Sequence, residues 1–256
     1  MIVIDSGLGG ISVVRALRAT RSDLPLIYCA DTSGFPYGKR TPEELEFRSA
    51  RLVGTLLTKY PGHPVVIACN TLSTLCLEHL RNRFSVPFIG TVPAIKTASQ
   101  LSKTRRFTIL ATPNTAGSQY TQDLIGEFAS DCVVDAYGAP NLAQMAEHAL
   151  LGKPIDSDAL RQELQLTFND NLYGKTDCIV LGCTHYPLIL PALKSAALWP
   201  VHWVDSGEAI ARRALSFEDI APAQSIAYVT APEHKNRYAP IFEQEGFANT
   251  EVMLIG

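Results

Sequence analysis

A short buried strand that ends in a cysteine is predicted by the sequence VVIACNT, residues 65–71. The same arrangement returns in CIVLGCTH, residues 178–185, where Cys183 takes the place of Cys69. In both stretches an apolar run gives way to small and hydroxyl-bearing residues, which is typical of a strand that stops at the edge of a sheet. Two thiols placed in this way suggest a proton-transfer site in which one cysteine serves each face of a substrate carbon.

Strand-like and helix-like segments alternate along the chain. The predicted strands are Ile2–Ile4, Leu26–Cys29, Val65–Cys69, Phe88–Gly90, Phe107–Ala111, Cys132–Ala136, Cys178–Gly182 and Val201–Val204. The predicted helices are Ser12–Thr20, Pro42–Lys59, Ser73–Arg83, Ala94–Leu101, Thr115–Phe128, Asn141–Leu150 and Ser157–Leu172. This alternation predicts an α/β fold with mostly parallel sheets flanked by helices, and in such sheets ligands bind at the carboxyl ends of the strands.

The chain also shows a rough internal duplication. The segment Ile4–Gly7 and the segment Val204–Gly207 both end in Asp-Ser-Gly and both precede a helical pattern. Two similar α/β halves that face each other would bring both strand-end cysteines to one cleft. The alternative is chance, because Asp-Ser-Gly is a common signal for the start of a helix.

Composition and charge exclude several classes of function. The net charge of −3 does not favour a nucleic acid or an anionic membrane as a partner. No segment reaches the roughly 18 uninterrupted apolar residues of a membrane span. The N-terminus lacks the basic and apolar regions of a signal peptide. We therefore expect a cytoplasmic protein that needs neither nucleic acid nor membrane.

The six cysteines are dispersed, and none belongs to a CxxC pair. Reduced thiols are expected in a cytoplasmic chain, and a structural zinc site would need four convergent ligands, so no metal is predicted. Cys29, Cys76, Cys132 and Cys178 lie in or beside apolar runs. We expect these four to be small buried hydrophobic side chains.

The loop Asp5–Gly10 follows the first predicted strand and precedes a helix. Its small residues let the backbone approach a ligand, and the N–H groups of the following helix attract an anion. With Asp5 available as a charge, the loop is suited to hold an ammonium or a carboxylate group. Ser12 occupies the third glycine position of a dinucleotide fingerprint, so a nucleotide cofactor is not indicated. No lysine is placed for a pyridoxal Schiff base, and no cofactor is predicted. A purely structural turn is the alternative for this loop.

The residues beside the two cysteines are suited to a carboxylate substrate. Asn70 and Thr71 offer neutral donors next to Cys69, and Thr184 offers one next to Cys183. A thiolate at the start of a helix is stabilised by the helix dipole and by backbone N–H groups. His185 is able to lower the pKa of a nearby thiol, with a structural histidine as the alternative.

Two other loops follow strand-like runs. Pro36, Tyr37 and Gly38 form a loop in which Tyr37 supplies a hydroxyl, although such a phrase is more often only a turn. Thr112 and Thr115 place two hydroxyls at another strand end, where Thr115 is also a natural helix cap.

Taken together, six ordered phrases resemble the cofactor-independent aspartate/glutamate racemase family, and in particular its glutamate racemases. The resemblance covers nearly the whole chain and is carried by residues 5–10, 36–38, 68–73, 92–96, 181–188 and 205–213. It implies two α/β domains, 1–92 with 205–256 and 93–204, with the active site in the cleft between them. It also implies interconversion of L- and D-glutamate, supply of D-glutamate for peptidoglycan, and a homodimer.

The resemblance assigns roles to particular residues. Cys69 and Cys183 are the two acid/base thiols that it implies, with Asp5 assisting Cys69 and with His185 and Glu147 assisting Cys183. The residues that it places around the substrate are Ser6, Pro36, Tyr37, Gly38, Asn70, Thr71, Thr112, Thr115 and Thr184.

Other functions stay open at this point. Aspartate racemase belongs to the same group, and a decarboxylase or maleate isomerase of the same superfamily would keep a similar fold. A cysteine hydrolase needs a Cys–His pair that face each other, and we expect Cys183 and His185, on one short loop, not to do so. A non-catalytic binding protein, or a racemase that also binds another protein, is the alternative from a different class.

Overall fold

A computed structural model of the chain describes residues 1–217 and 224–255. Its first part contains β1 (Ile2–Asp5), α1 (Ile11–Thr20), β2 (Ile27–Ala30), α2 (Pro42–Lys59), β3 (Val65–Ile67), α3 (Asn70–Arg83) and β4 (Phe88–Gly90). Next come α4 (Ile95–Leu101), β5 (Arg106–Ala111), α5 (Pro113–Ala116), α6 (Gln119–Phe128), β6 (Val133–Gly138), α7 (Leu142–Leu150), α8 (Ser157–Leu164), β7 (Asp170–Asn171), β8 (Gly174–Lys175), β9 (Cys178–Gly182), α9 (Leu190–Ala196) and β10 (His202–Val204). The last part contains α10 (Gly207–Ala214), β11 (Ile226–Val229), α11 (Lys235–Gln244) and β12 (Asn249–Val252).

The first of two compact units comprises Met1–Thr91 and the described part of Gly207–Gly256. Its sheet has six strands in the order β12-β11-β2-β1-β3-β4, and every neighbouring pair is parallel. The central strands are fully buried and read as continuous apolar runs, as expected for a parallel sheet covered on both faces.

The second unit comprises Val92–Ser206. Its main sheet has four parallel strands in the order β10-β9-β5-β6. Alternate residues of β9 join different apolar clusters, with Ile179 and Leu181 in one and Cys178 and Val180 in the other. The predicted class, α/β with mostly parallel sheets flanked by helices, is therefore confirmed.

Parallel pairing places several strand ends at one edge of each sheet. In the first unit Asp5 pairs with Ala30, and the N–H of Ala68 donates to the carbonyl of Ile4 at 2.7 Å. In the second unit Ala111 pairs with Gly182. The residues that follow β1, β2 and β3 thus lie at one edge, and those that follow β5 and β9 lie at another.

The predicted boundaries depart most from the structure in three places. The strand predicted over Val65–Cys69 ends at Ile67, and the next helix begins at Asn70, three residues before the predicted start. The helix predicted over Thr115–Phe128 is broken, because Gly117 ends α5 and the side chain of Ser118 caps a new helix.

The third wrong boundary lies in the segment predicted as a helix over Ser157–Leu172. The α-helix ends at Leu164, and an antiparallel pair of two-residue strands follows, Asp170–Asn171 with Gly174–Lys175. Leu172 continues the helical spacing of apolar residues, yet it is 87% exposed at the tip of this hairpin. Gly174 has a φ of +112°, which favours glycine and reverses the chain.

Strands β11 and β12 and helix α11 are absent from the predicted elements. Helix α11 contains Pro240, a residue that argues against a helix from sequence. Strand β12 alternates between exposed and half-buried residues, so it lacks the apolar run that marks the other strands. Its pairing with β11 in the sheet is what makes it a strand.

Candidate active site

Cys69 occupies the N-cap position of α3, two residues after β3 ends. Its φ of −141° and ψ of 118° are extended, so the chain turns from strand to helix at this residue. The thiol is buried but not sealed, with 7% of the residue exposed. The dipole of α3 favours a negative charge at this position, which suits a thiolate.

Asp5 and Ser6 lie next to Cys69 at the same sheet edge, and both are buried. The Oδ1 atom of Asp5 accepts a hydrogen bond from the N–H of Gly7 at 2.7 Å, which fixes the carboxylate in the loop.

Asn70 and Thr71 form the first turn of α3 and are also buried. In the described part of the chain, the Nδ2 of Asn70 is buried and has no hydrogen-bond partner. A buried N–H donor without an acceptor destabilises the folded protein, and an oxygen atom of a bound ligand would remove that penalty. The amide of Asn70 is therefore suited to a ligand carboxylate.

The loop with Pro36, Tyr37 and Gly38 follows β2 and continues into a single 3₁₀ turn. Tyr37 is buried and packs in the same apolar cluster as Cys69. Its hydroxyl donates to Oδ2 of Asp31 at 2.5 Å. This hydroxyl is therefore engaged by a carboxylate of the protein, and the place beside the substrate that the resemblance implies for Tyr37 stays a prediction.

Cys183 lies directly after β9 in the second unit, and 7% of this residue is exposed. The Sγ atom lies 3.8 Å from Nδ1 of His185, and Nε2 of His185 lies 2.7 Å from Oε2 of Glu147 on α7. All three side chains are buried, as is Thr184. The expectation that Cys183 and His185 do not face each other is wrong, because a turn at residues 184–185 folds the imidazole back onto the thiol.

This arrangement governs the charge of His185. Burial by itself lowers the pKa of His185, but hydrogen bonds with Cys183 and Glu147, together with the negative charge of both groups, hold the pKa well above its ordinary value. An imidazolium between a carboxylate and a thiol stabilises the thiolate. The imidazole of His185 therefore holds a proton between the carboxylate of Glu147 and the sulfur of Cys183.

Thr112 and Thr115 follow β5, the strand that pairs with β9. The Oγ1 of Thr112 accepts from the N–H of Thr115 at 3.4 Å and donates to its Oγ1 at 3.1 Å. The helix cap is therefore Thr112, and the interpretation of Thr115 as the cap is wrong, because Pro113 begins the helix two residues earlier.

The other cysteines differ from these two in exposure. Cys29, Cys76 and Cys178 are fully buried, and burial raises the pKa of all three, to about 12 for Cys76 and Cys178. Cys132 is only partly buried, so the prediction of a buried side chain is wrong for this residue. It lies just before β6, which is the edge strand of its sheet.

Two further observations concern the described residues as a set. Over residues 1–217 and 224–255, no group of three or more His, Cys, Asp or Glu side chains is arranged to hold a metal ion. The helices of the same residues include none that is long and apolar enough to cross a membrane.

Sequence reasoning missed Asp31 and Arg48. Asp31 follows β2 directly and is fully buried, so its position at a strand end was a signal that could have been used. Arg48 lies within α2, and its helical pattern carries no such signal.

The chain is similar to known racemases over most of its length. The sequence profile described as Asp/Glu/Hydantoin racemase matches residues 11–214. The glutamate racemase of Brucella canis is 44% identical over 226 residues, which cover 88% of this chain and 80% of that protein. The crystal structure of Escherichia coli glutamate racemase, in complex with L-glutamate and the activator UDP-MurNAc-Ala, has a TM-score of 0.92 and 34% identity and covers all of this chain and 98% of that one. The protein therefore belongs to the aspartate/glutamate/hydantoin racemase family.

Proposed function

We propose that this protein interconverts L- and D-glutamate without a cofactor, by proton transfer between two thiols. Cys69 removes the α-proton of D-glutamate, and Cys183 removes the α-proton of L-glutamate. The observation that carries the proposal is the buried chain Glu147–His185–Cys183, with distances of 2.7 and 3.8 Å. A cysteine that only fills space in the core would not need a histidine and a carboxylate hydrogen-bonded in series beside its thiol.

The reaction explains why two bases are required. Inversion of an α-carbon removes a weakly acidic proton from one face and returns a proton to the other. Two thiols on opposite faces exchange the roles of acid and base with the direction of the reaction. A free thiol has a pKa of about 8.5, so each must be made more acidic to work at neutral pH. Cys69 lies at the start of α3, and the Sγ of Cys183 lies 3.8 Å from Nδ1 of His185.

The negative charge that develops on the substrate must be stabilised by the protein itself. The unpartnered Nδ2 of Asn70 is a preorganised donor beside Cys69. The hydroxyls of Thr112 and Thr184 lie at the matching strand ends of the second unit. Fixed donors of this kind stabilise an anion without the cost of reorganising water.

Glutamate is the substrate that the relatives support. The similar curated proteins from Brucella canis and Agrobacterium fabrum are both glutamate racemases and are both 44% identical to this chain. Aspartate differs by one methylene group and stays the second candidate, because the chemistry at the α-carbon is the same. We further propose that the enzyme supplies D-glutamate for peptidoglycan, acts in the cytoplasm and forms a homodimer.

Exchange of the α-hydrogen in heavy water tests the proposal directly. The purified protein is incubated with L- or D-glutamate, or with either enantiomer of aspartate, and deuterium at the α-carbon is followed by NMR while inversion is followed by circular dichroism. We expect deuterium incorporation and inversion with both enantiomers of glutamate. Exchange with aspartate alone would identify an aspartate racemase, and no exchange with any of the four would overturn the proposal.

A further inference from the structure

A buried carboxylate in the first unit is surrounded by donors from three separate segments. Asp31 is fully buried, and its two oxygens accept from the guanidinium of Arg48 at 2.5 and 2.6 Å. The hydroxyl of Tyr37 donates to Oδ2, and the hydroxyl of Thr230 donates to Oδ1 at 2.7 Å. A buried charge is retained only when it is paired and hydrogen-bonded, and Asp31 meets both conditions.

The network extends into the backbone of the loop after β2. Ser33 donates its N–H to the hydroxyl of Thr230 at 3.0 Å, and its own hydroxyl contacts Arg48. A Cβ atom at Gly34 would lie 2.5 Å from both Asp31 Oδ2 and Arg48 Nε, so the backbone passes the ion pair at a distance that only glycine permits. The path of residues 31–34 is thus fixed by this pair.

Tyr37 connects the network to Cys69. Its ring packs in the apolar cluster that also contains Leu45, Leu72 and Cys69, while its hydroxyl reaches Asp31. Burial, the charge and hydrogen bond of Asp31, and the charge of Cys69 all raise the pKa of Tyr37, so the phenol stays protonated and keeps its donor role. One side chain therefore spans from the ion pair to the surroundings of the thiol.

We propose that Asp31, Arg48 and Thr230 form a positioning unit that holds Tyr37, and with it the loop Pro36–Gly38, in place beside Cys69. None of the three acts on the substrate itself. They act through Tyr37, whose displacement would open the loop and expose the thiol. The effect on substrate affinity rests on the proposed function. The effect on the exposure of Cys69 concerns the first unit alone and does not depend on it.

The test compares three variants of the full chain. Thr230→Val removes one donor to Asp31 and keeps the shape of the side chain, and Arg48→Gln removes the guanidinium. Arg48→Lys keeps the charge but not the paired geometry, so its KM for glutamate and its alkylation rate at Cys69 should lie between those of Arg48→Gln and the parent protein. Arg51→Gln is the matched control, because Arg51 lies on the same helix, is exposed and contacts the ring of Phe47 rather than Asp31.

Two measurements separate positioning from general destabilisation. The first is the KM and kcat for glutamate in each direction. The second is the rate at which iodoacetamide alkylates Cys69 and Cys183, read by peptide mass spectrometry, which needs no activity. We expect Thr230→Val and Arg48→Gln to raise KM about tenfold with kcat changed less than about threefold, and to raise the alkylation rate of Cys69 about tenfold with that of Cys183 unchanged.

The inference is overturned if KM and the alkylation rate of Cys69 in Thr230→Val both equal those of Arg51→Gln. If Arg48→Gln does not fold, Thr230→Val alone decides. If the parent protein does not racemise glutamate, the proposed function fails, and the alkylation rate of Cys69 still decides whether the positioning unit exists.

Discussion

His185 is held between two groups that both favour its protonated form. Glu147 and Cys183 raise its pKa, against the effect of burial. Because the folded-state pKa lies above the ordinary value of 6.5, the imidazolium contributes its full stability below the unfolded-state pKa. That contribution is lost as the pH rises through the raised pKa.

Serine in place of either Cys69 or Cys183 should lower glutamate racemisation by about two to four orders of magnitude, because a hydroxyl is too weak an acid to alternate between its two forms at neutral pH. Circular dichroism of the purified variants measures the rate. Cys132→Ser is the control, since this thiol is partly exposed and lies apart from the strand ends. Near-normal turnover in either variant would contradict the two-thiol mechanism.

Glu147→Gln keeps the shape of the side chain and removes the charge that faces His185 at 2.7 Å. The pKa of His185 should fall, so the imidazolium is lost at a lower pH and the alkaline limb of the pH–rate profile moves to lower pH. We expect the rate with L-glutamate to fall about tenfold to a hundredfold at neutral pH. Glu163 is a buried carboxylate that accepts a hydrogen bond from Asn141, and Glu163→Gln should leave the pH–rate profile unshifted. An unshifted profile in Glu147→Gln would refute this role.

Helix α5 is short and depends on its neighbours for its position. It is only four residues long, it is capped by Thr112, and it packs against the end of β6. A Cβ atom at Gly138 would lie 2.6 Å from the Cα of Pro113, so this glycine permits the close approach of strand and helix. The hydroxyls of Thr112 and Thr115 are therefore placed by a contact with another element as much as by their own turn.

Gly138→Ala should displace α5 and cost about 1–3 kcal/mol in the free energy of unfolding, with a rise in KM for glutamate. Urea denaturation and steady-state kinetics measure the two effects. Gly126→Ala is the paired variant, because a Cβ there meets nothing within 4 Å and Gly126 lies inside α6. It should stabilise the protein by about 0.5–1 kcal/mol and leave KM unchanged. Equal effects of the two substitutions would contradict this account.

Each compact unit of the molecule supplies one thiol at the carboxyl edge of its own parallel sheet. Asp5, Ser6, Cys69 and Asn70 gather at the edge of the first, and Thr112, Cys183 and Thr184 at the edge of the second. The domain bounds 1–92 with 205–256 and 93–204, and the roles given to the site residues, stay predictions. In the proposed mechanism both thiols act on the α-carbon of one substrate molecule.

Saturating L-glutamate should therefore slow alkylation of Cys69 and Cys183 together, because a bound substrate with one thiol on each face of its α-carbon covers both. Cys132 in the same sample should react at an unchanged rate and serves as the internal control. Peptide mass spectrometry after timed exposure to iodoacetamide gives the three rates. Protection of only one of the two thiols would show that they do not share a ligand.

The sequence by itself determined, to within two residues, where eight of the strands end, because apolar runs and helix-start residues are local patterns. The positions of Cys69, Thr112 and Cys183, just beyond β3, β5 and β9, were predictable for this reason. The tertiary structure decided which side chains meet: Glu147 reaches His185 across 38 residues, and Thr230 reaches Asp31 across 199. It also turned the Tyr37 hydroxyl towards Asp31. Contacts over such separations arise only when the sheet is assembled and buried charges must find partners, which no local pattern encodes.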